Sequence, residues 1–199
     1  MIRTPESLIP YIVAMVAVLA GLLWHIGDSI PRLGHTSVFG AATIGGPFSL
    51  IDQNGKPASD RGFRGRWMFV YFGYTNCPDV CPITLSEMAD VMDRLGPKAA
   101  RMAPIFITVD PARDRPKTMK DYVASFGPRF TGLTGDARAI ENAEHEYRVA
   151  AIKHPLPGGG YAMDHSGTMY LMDPNGKFAM DYDEGDGPKK IAADIKKRL

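Results

Sequence analysis

The stretch WMFVYFGYTNCPDVCPITLSEMADVMDRL, residues 67–95, decides the reading of this chain. Trp67 to Tyr74 is an unbroken aromatic and β-branched run, the pattern of a strand buried on both faces. From Ile83 to Leu95 the residues Leu85, Met88, Ala89, Met92 and Leu95 recur at helical spacing, and Gly96-Pro97 stops them. Between strand and helix lie the only two cysteines, in Cys77-Pro78-Asp79-Val80-Cys81-Pro82. The end of a buried strand therefore carries the sulfur chemistry of the chain.

Outward from this stretch, Pro104 to Val109 reads as a second buried strand ending at Asp110-Pro111. Helices are predicted over Pro116 to Phe126 and Ala137 to Arg148, with a short strand at Phe130 to Leu133 between them. Upstream, Pro47 to Ile51 runs into the turn pair Asn54-Gly55. Downstream, Thr168 to Met172 and Phe178 to Tyr182 flank Asp173-Pro174-Asn175-Gly176 as a hairpin, and Ile191 to Leu199 closes as a helix. The order predicts an α/β domain with a central mixed sheet covered by helices on both faces: a thioredoxin-like fold with extra N-terminal strands.

The chain has 199 residues, enough for one domain with a real core. Its 23 Lys and Arg against 22 Asp and Glu leave a net charge of +1, no field to attract nucleic acid. A hydrophobic fraction of 45% and a charged fraction of 23% exclude disordered and fibrous classes. From Leu8 to Trp24 the sequence is apolar and uncharged, and with His25 and Ile26 it just reaches the length of a transmembrane helix. Val18-Leu19-Ala20 is a weak match to a cleavage site, which favours an uncleaved anchor. The expected organisation is an anchor over 1–27, a linker over 28–43 and a globular domain over 44–199.

The start of a helix favours negative charge, so both thiols are expected to be reactive. Cysteines four apart on a helical turn converge on one ion or on each other. As a staple the pair would do little, because so short a loop restricts the unfolded chain by only about 2 kcal/mol against about 3 for a 15-residue loop. Dithiol redox chemistry and metal binding remain. A soft ion such as Cu(I) suits two thiolates with an imidazole as third ligand, so a histidine separates the two. Of five histidines, His25 ends the apolar segment, His35 falls in the linker, His145 on a helix face and His154 before Pro155 in a loop. His165 precedes the strand Thr168 to Met172, where a thioredoxin-like fold brings a loop near the cysteines. Composition alone does not choose among them. The 11 methionines fall mostly at core spacing and are read as core.

From Gly45 to Leu199 the chain resembles the Sco/SenC copper-binding proteins that assist cytochrome c oxidase assembly. The matching segments are Gly46-Pro47-Phe48, Phe72-Gly73-Tyr74-Thr75 with the cysteine motif, Ile107-Thr108-Val109-Asp110-Pro111 with Arg113-Asp114, Leu133-Thr134-Gly135 and Asp164-His165-Ser166. The resemblance implies copper, as Cu(I), Cu(II) or both, held by Cys77, Cys81 and His165. It implies a membrane-anchored metallochaperone that passes copper to the copper-binding subunit of cytochrome c oxidase, the upstream donor unspecified. The alternative is a thiol-disulfide oxidoreductase in which Cys77 and Cys81, as a redox-active pair, reduce the target cysteines before metallation. A peroxiredoxin-like peroxidase is a third class, matched only partly by Thr75-Asn76-Cys77. One Arg and no Lys in the first 25 residues disfavour a mitochondrial presequence. The expected place is thus a bacterial inner membrane with the domain facing the periplasm, the alternative being the mitochondrial inner membrane facing the intermembrane space. Asp110 to Asp114 reads as a turn, with partner docking as the rival role. Asp79 and Asp164 read as turn formers, with orientation of His165 as a further role for either.

Overall fold

Two seven-residue strands, β3 (Trp67–Gly73) and β4 (Met102–Thr108), run parallel through the centre of the molecule. Phe69 to Phe72 and Ile105 to Ile107 have no solvent exposure, as continuous apolar runs require. Full burial of each large side chain there stabilises by about 1.5–3 kcal/mol. The computed structural model describes residues 44–199 and, apart from them, Met15. The predicted anchor (Met15 aside) and linker lie outside the described residues, among which no helix is long and apolar enough to cross a membrane.

Around the central pair the sheet grows to seven strands in the order β2-β1-β5-β4-β3-β8-β9. The added strands are β1 (Ser49–Asp52), β2 (Pro57–Ser59), β5 (Thr131–Thr134), β8 (Met169–Met172) and β9 (Phe178–Tyr182). β4 and β5 are parallel, whereas β1 pairs antiparallel with β2 and β5, and β8 with β3 and β9. The extra N-terminal strands are thus the β1–β2 hairpin, turned at Asn54-Gly55 with Gly55 at φ 79°.

The helices are α1 (Val80–Leu95), α2 (Pro116–Val123), α3 (Ala137–Tyr147) and α4 (Pro188–Arg198). Neighbouring strand residues point to opposite faces, and their contacts locate the helices. Gly73 and Tyr71 face Cys81 of α1, while the Phe72 ring lies 5.2 Å from that of Tyr147 in α3. Tyr122 of α2 meets Phe106, stacked on Tyr71, so α1 and α2 cover one face and α3 the other. The mixed sheet covered on both faces agrees with the predicted arrangement.

Helix α4 begins at Pro188 rather than Ile191, and further differences from the sequence reading lie nearer the cysteines and His165. Helix α1 begins at Val80 rather than Ile83, so Cys81 and Pro82 belong to its first turn, where proline costs no intrahelical hydrogen bond. The second helix ends at Val123 and tightens into a 3-10 turn at Ala124–Phe126. Between α3 and β8, where a loop was expected, β6 (Ala151–Pro155) and β7 (Tyr161–His165) form a separate two-stranded antiparallel sheet.

Candidate metal centre

Cys77 lies in the loop between β3 and α1, where its N–H donates to the Tyr74 carbonyl at 3.3 Å. Asp79, in the N-cap position, makes no side-chain cap and is exposed. Instead the Cys81 N–H donates to the Cys77 sulfur at 3.4 Å, so sulfur satisfies one of the free donors of the first turn. Cys81 itself is fully buried and Cys77 half-buried, and neither is in a disulfide.

The expectation that both thiols are reactive is corrected here for Cys81. Cys81 faces the floor of the sheet, and burial pushes its pKa up from 9.0 to about 12. Its start-of-helix position does not offset that desolvation. The floor is bare backbone at Gly73, where an added Cβ would stand 2.9 Å from the Cys81 sulfur and 2.9 Å from the Phe106 ring. Glycine is needed at this point for close approach, not for backbone freedom.

His165 is the last residue of β7, and its Nε2 lies 3.3 Å from Cys81 Sγ. Nδ1 sits 3.1 Å from the Ser166 carbonyl, an acceptor only, so Nδ1 carries the proton and donates it there. Nε2 is thereby left as a lone pair aimed at the sulfurs. The ring is walled edge-on by Tyr71 at 6.0 Å and Tyr74 at 5.9 Å. Sγ of Cys77, Sγ of Cys81 and an imidazole nitrogen of His165 all lie within 4.8 Å of one another. A three-coordinate ion with bonds of about 2.0–2.3 Å holds its donors at about 3.5–4 Å, so the triangle closes around one ion with small adjustments. Two sulfurs and one nitrogen without a carboxylate form a soft donor set.

His25 and His35 lie outside the described residues, among which the two other histidines stay apart from this triangle. His145 is exposed on α3. His154, read as a loop residue, is in β6, and its Nε2 pairs with Asp164 Oδ2 at 2.8 Å. That pair also removes Asp164 from the role of orienting His165, because adjacent strand residues point to opposite faces. The orienting group is the Ser166 carbonyl, which no side-chain pattern could reveal.

Beneath the cysteine loop lies Asp114, fully buried. Its carboxylate accepts from the Thr75 N–H at 3.0 Å, from Thr75 Oγ1 at 2.6 Å and from Thr108 Oγ1 at 2.6 Å. Its own carbonyl accepts from Thr134 Oγ1 at 2.7 Å. These bonds offset the cost of burying a charge. Asp110 to Asp114 is therefore an internal brace, consistent with the turn reading.

With this geometry in view, the relatives are informative. The SCO1/SenC family profile matches residues 37–199. The chain belongs to the SCO1/SenC family. The copper-bound structure of Bradyrhizobium japonicum ScoI is similar at 46% identity and a TM-score of 0.74, covering 78% of this chain and 99% of that one. Copper-bound yeast Sco1 is similar at 37% identity and a TM-score of 0.73, covering 78% and 87%. The full mitochondrial Sco1 of Saccharomyces cerevisiae is 39% identical over 165 residues, which are 79% of this chain but 56% of that protein. This chain thus spans little more than half of it. BsSco is described as having a disulfide switch and as a member of the Sco family of cytochrome c oxidase assembly proteins. It is similar at 27% identity and a TM-score of 0.62, covering 77% and 92%. The thioredoxin-like Sco fold is the fold of this domain.

Proposed function

We propose that this SCO1/SenC protein is a copper metallochaperone. It holds one copper ion between Cys77, Cys81 and His165 and passes it by ligand exchange to the copper-binding subunit of cytochrome c oxidase during assembly. Copper is cargo here, and the protein's work is to present donors and release them. The observation that carries this reading is the aimed imidazole, with Nε2 of His165 at 3.3 Å from Cys81 Sγ and its tautomer set by Ser166. Exchange between a thiolate and a disulfide needs no such nitrogen. Three donors leave an ion open to an incoming thiolate, so copper moves without being free in solution. The copper-bound relatives support the same choice of metal.

The second reading is reduction of the target cysteines by the dithiol pair. It is favoured by the two free sulfurs so close together and by the disulfide switch named for BsSco. In either case the expected location is a bacterial inner membrane, with residues 1–27 as anchor, 28–43 as linker and the domain facing the periplasm. A mitochondrial inner membrane facing the intermembrane space is the alternative.

Copper stoichiometry tests the proposal. The reduced chain should bind one copper ion, and prior oxidation or the double variant Cys77→Ser, Cys81→Ser should abolish uptake. Undiminished uptake by the double variant would rule out this site.

A further inference from the structure

His165 hangs on a weak support. Among the described residues its strand β7 pairs only with β6, and neither joins the seven-stranded sheet. Residues 152–160 are exposed, and a two-stranded ribbon is marginal by itself. What fixes this ribbon fixes the imidazole.

Tyr161, Met163 and His165 share one face of β7, and Met163 packs on the core. The far end of that face is gripped through Tyr161. Its hydroxyl donates to Asp110 Oδ1 at 2.8 Å, and its carbonyl accepts from Arg113 Nη1 at 2.9 Å. The Arg113 guanidinium lies 3.8 Å from the centroid of the Tyr161 ring and 5.6 Å from that of Tyr74. Lys153 Nζ stands 3.5 Å from the Tyr161 centroid. Asp110 is 3% exposed and pairs with Arg113, so the ionic part of the grip is shielded from solvent. The same loop holds the cysteine arm, since Asp114 bonds Thr75. One five-residue loop thus touches both arms of the site.

We propose that Asp110, Arg113 and Tyr161 form a latch that places His165 against the cysteines, and that they are positioning residues for the third copper donor. The proposal rests on the copper reading above. An open latch leaves two sulfurs in place and withdraws the nitrogen.

The test uses the full chain in detergent, with Cu(II) and Cu(I) as probes. Arg113→Ala should lower Cu(II) affinity about 10- to 100-fold and weaken the imidazole-nitrogen signal in the electron paramagnetic resonance spectrum. Tyr161→Phe, which keeps the ring and loses one hydrogen bond, should do the same to a smaller degree. In a His165→Ala background Arg113→Ala should cause no further loss, because the latch acts only through that ring. Equal losses with and without His165, or an unchanged nitrogen signal, would overturn the latch. Hydrogen exchange in the copper-free chain is the independent arm. Amides of β6 and β7 should exchange about tenfold faster in Arg113→Ala, with those of α1 unchanged. Unaltered exchange in the ribbon overturns the latch whatever the metal does. Failure of the unmutated chain to bind copper would sink the carrier reading and leave the exchange result to judge the latch.

Discussion

Nε2 of His165 and Sγ of Cys81 lie 3.3 Å apart although 84 positions separate them in the chain. Two different supports create this meeting. The sulfur is pressed on the bare backbone of Gly73 at the end of β3, and the nitrogen arrives from a ribbon outside the main sheet. A soft pair and a borderline nitrogen therefore come from parts of the fold with different stiffness.

The nitrogen should matter more for Cu(II) than for Cu(I), which two thiolates hold alone. His165→Ala should lose most of its Cu(II) affinity, about 100-fold, keep part of its Cu(I) affinity and retain oxidation and reduction of the dithiol. Oxidase assembly at limiting copper separates the two functions. Failure in the His165→Ala strain supports the carrier, whereas normal assembly there with failure in Cys77→Ser supports the reductase.

Burial holds Cys81 as a neutral thiol at ordinary pH, its pKa raised to about 12. The unfolded thiol titrates near 9.0, so between these values the unfolded state binds fewer protons than the folded one. Its contribution to stability is full below pH 9.0 and is lost as pH rises toward about 12. Denaturation across that window should show a steeper fall for the unmutated chain than for Cys81→Ser. Alkylation followed by mass spectrometry at about pH 8 should label Cys77 well before Cys81.

Gly73→Ala should be among the most damaging small substitutions. Its Cβ meets sulfur on one side and the Phe106 ring on the other, both at 2.9 Å. Overpacking of this kind costs about 1–3 kcal/mol, read as a lower thermal midpoint, and moves the Cys81 sulfur, read as weaker copper binding.

Asp114→Ala removes the acceptor of three hydrogen bonds and leaves the Thr75 N–H and the Thr108 hydroxyl without it. A loss of about 3 kcal/mol is expected in denaturant titration. Asn in its place should recover part of that, because one oxygen still accepts.

The central strands and the α1 surface were legible because full burial imposes a continuous apolar run on Trp67 to Gly73 and a helical stripe on Leu85 to Leu95. Tight turns at Asn54-Gly55 and Asn175-Gly176 were legible because positive φ selects glycine there. The β6–β7 ribbon was not, since β6 is largely exposed, β7 is only half-buried and its turn holds Gly158, Gly159 and Gly160 after two prolines, the composition of a loop. Asp164 seemed placed to orient His165 because sequence adjacency ignores the alternation of a strand. The fate of Cys81 was hidden as well, for its burial depends on a helix that starts one turn earlier than its apolar stripe.

The ribbon of β6 and β7 is spliced in between α3 and β8 without entering the ladder of the main sheet. The chemistry is therefore modular. Replacing residues 151–165 by a short turn would strip the nitrogen donor and the Met163 and Tyr161 contacts while keeping the seven-stranded sheet and its dithiol. Metal preference and thiol reactivity thus rest on separable stretches of this chain.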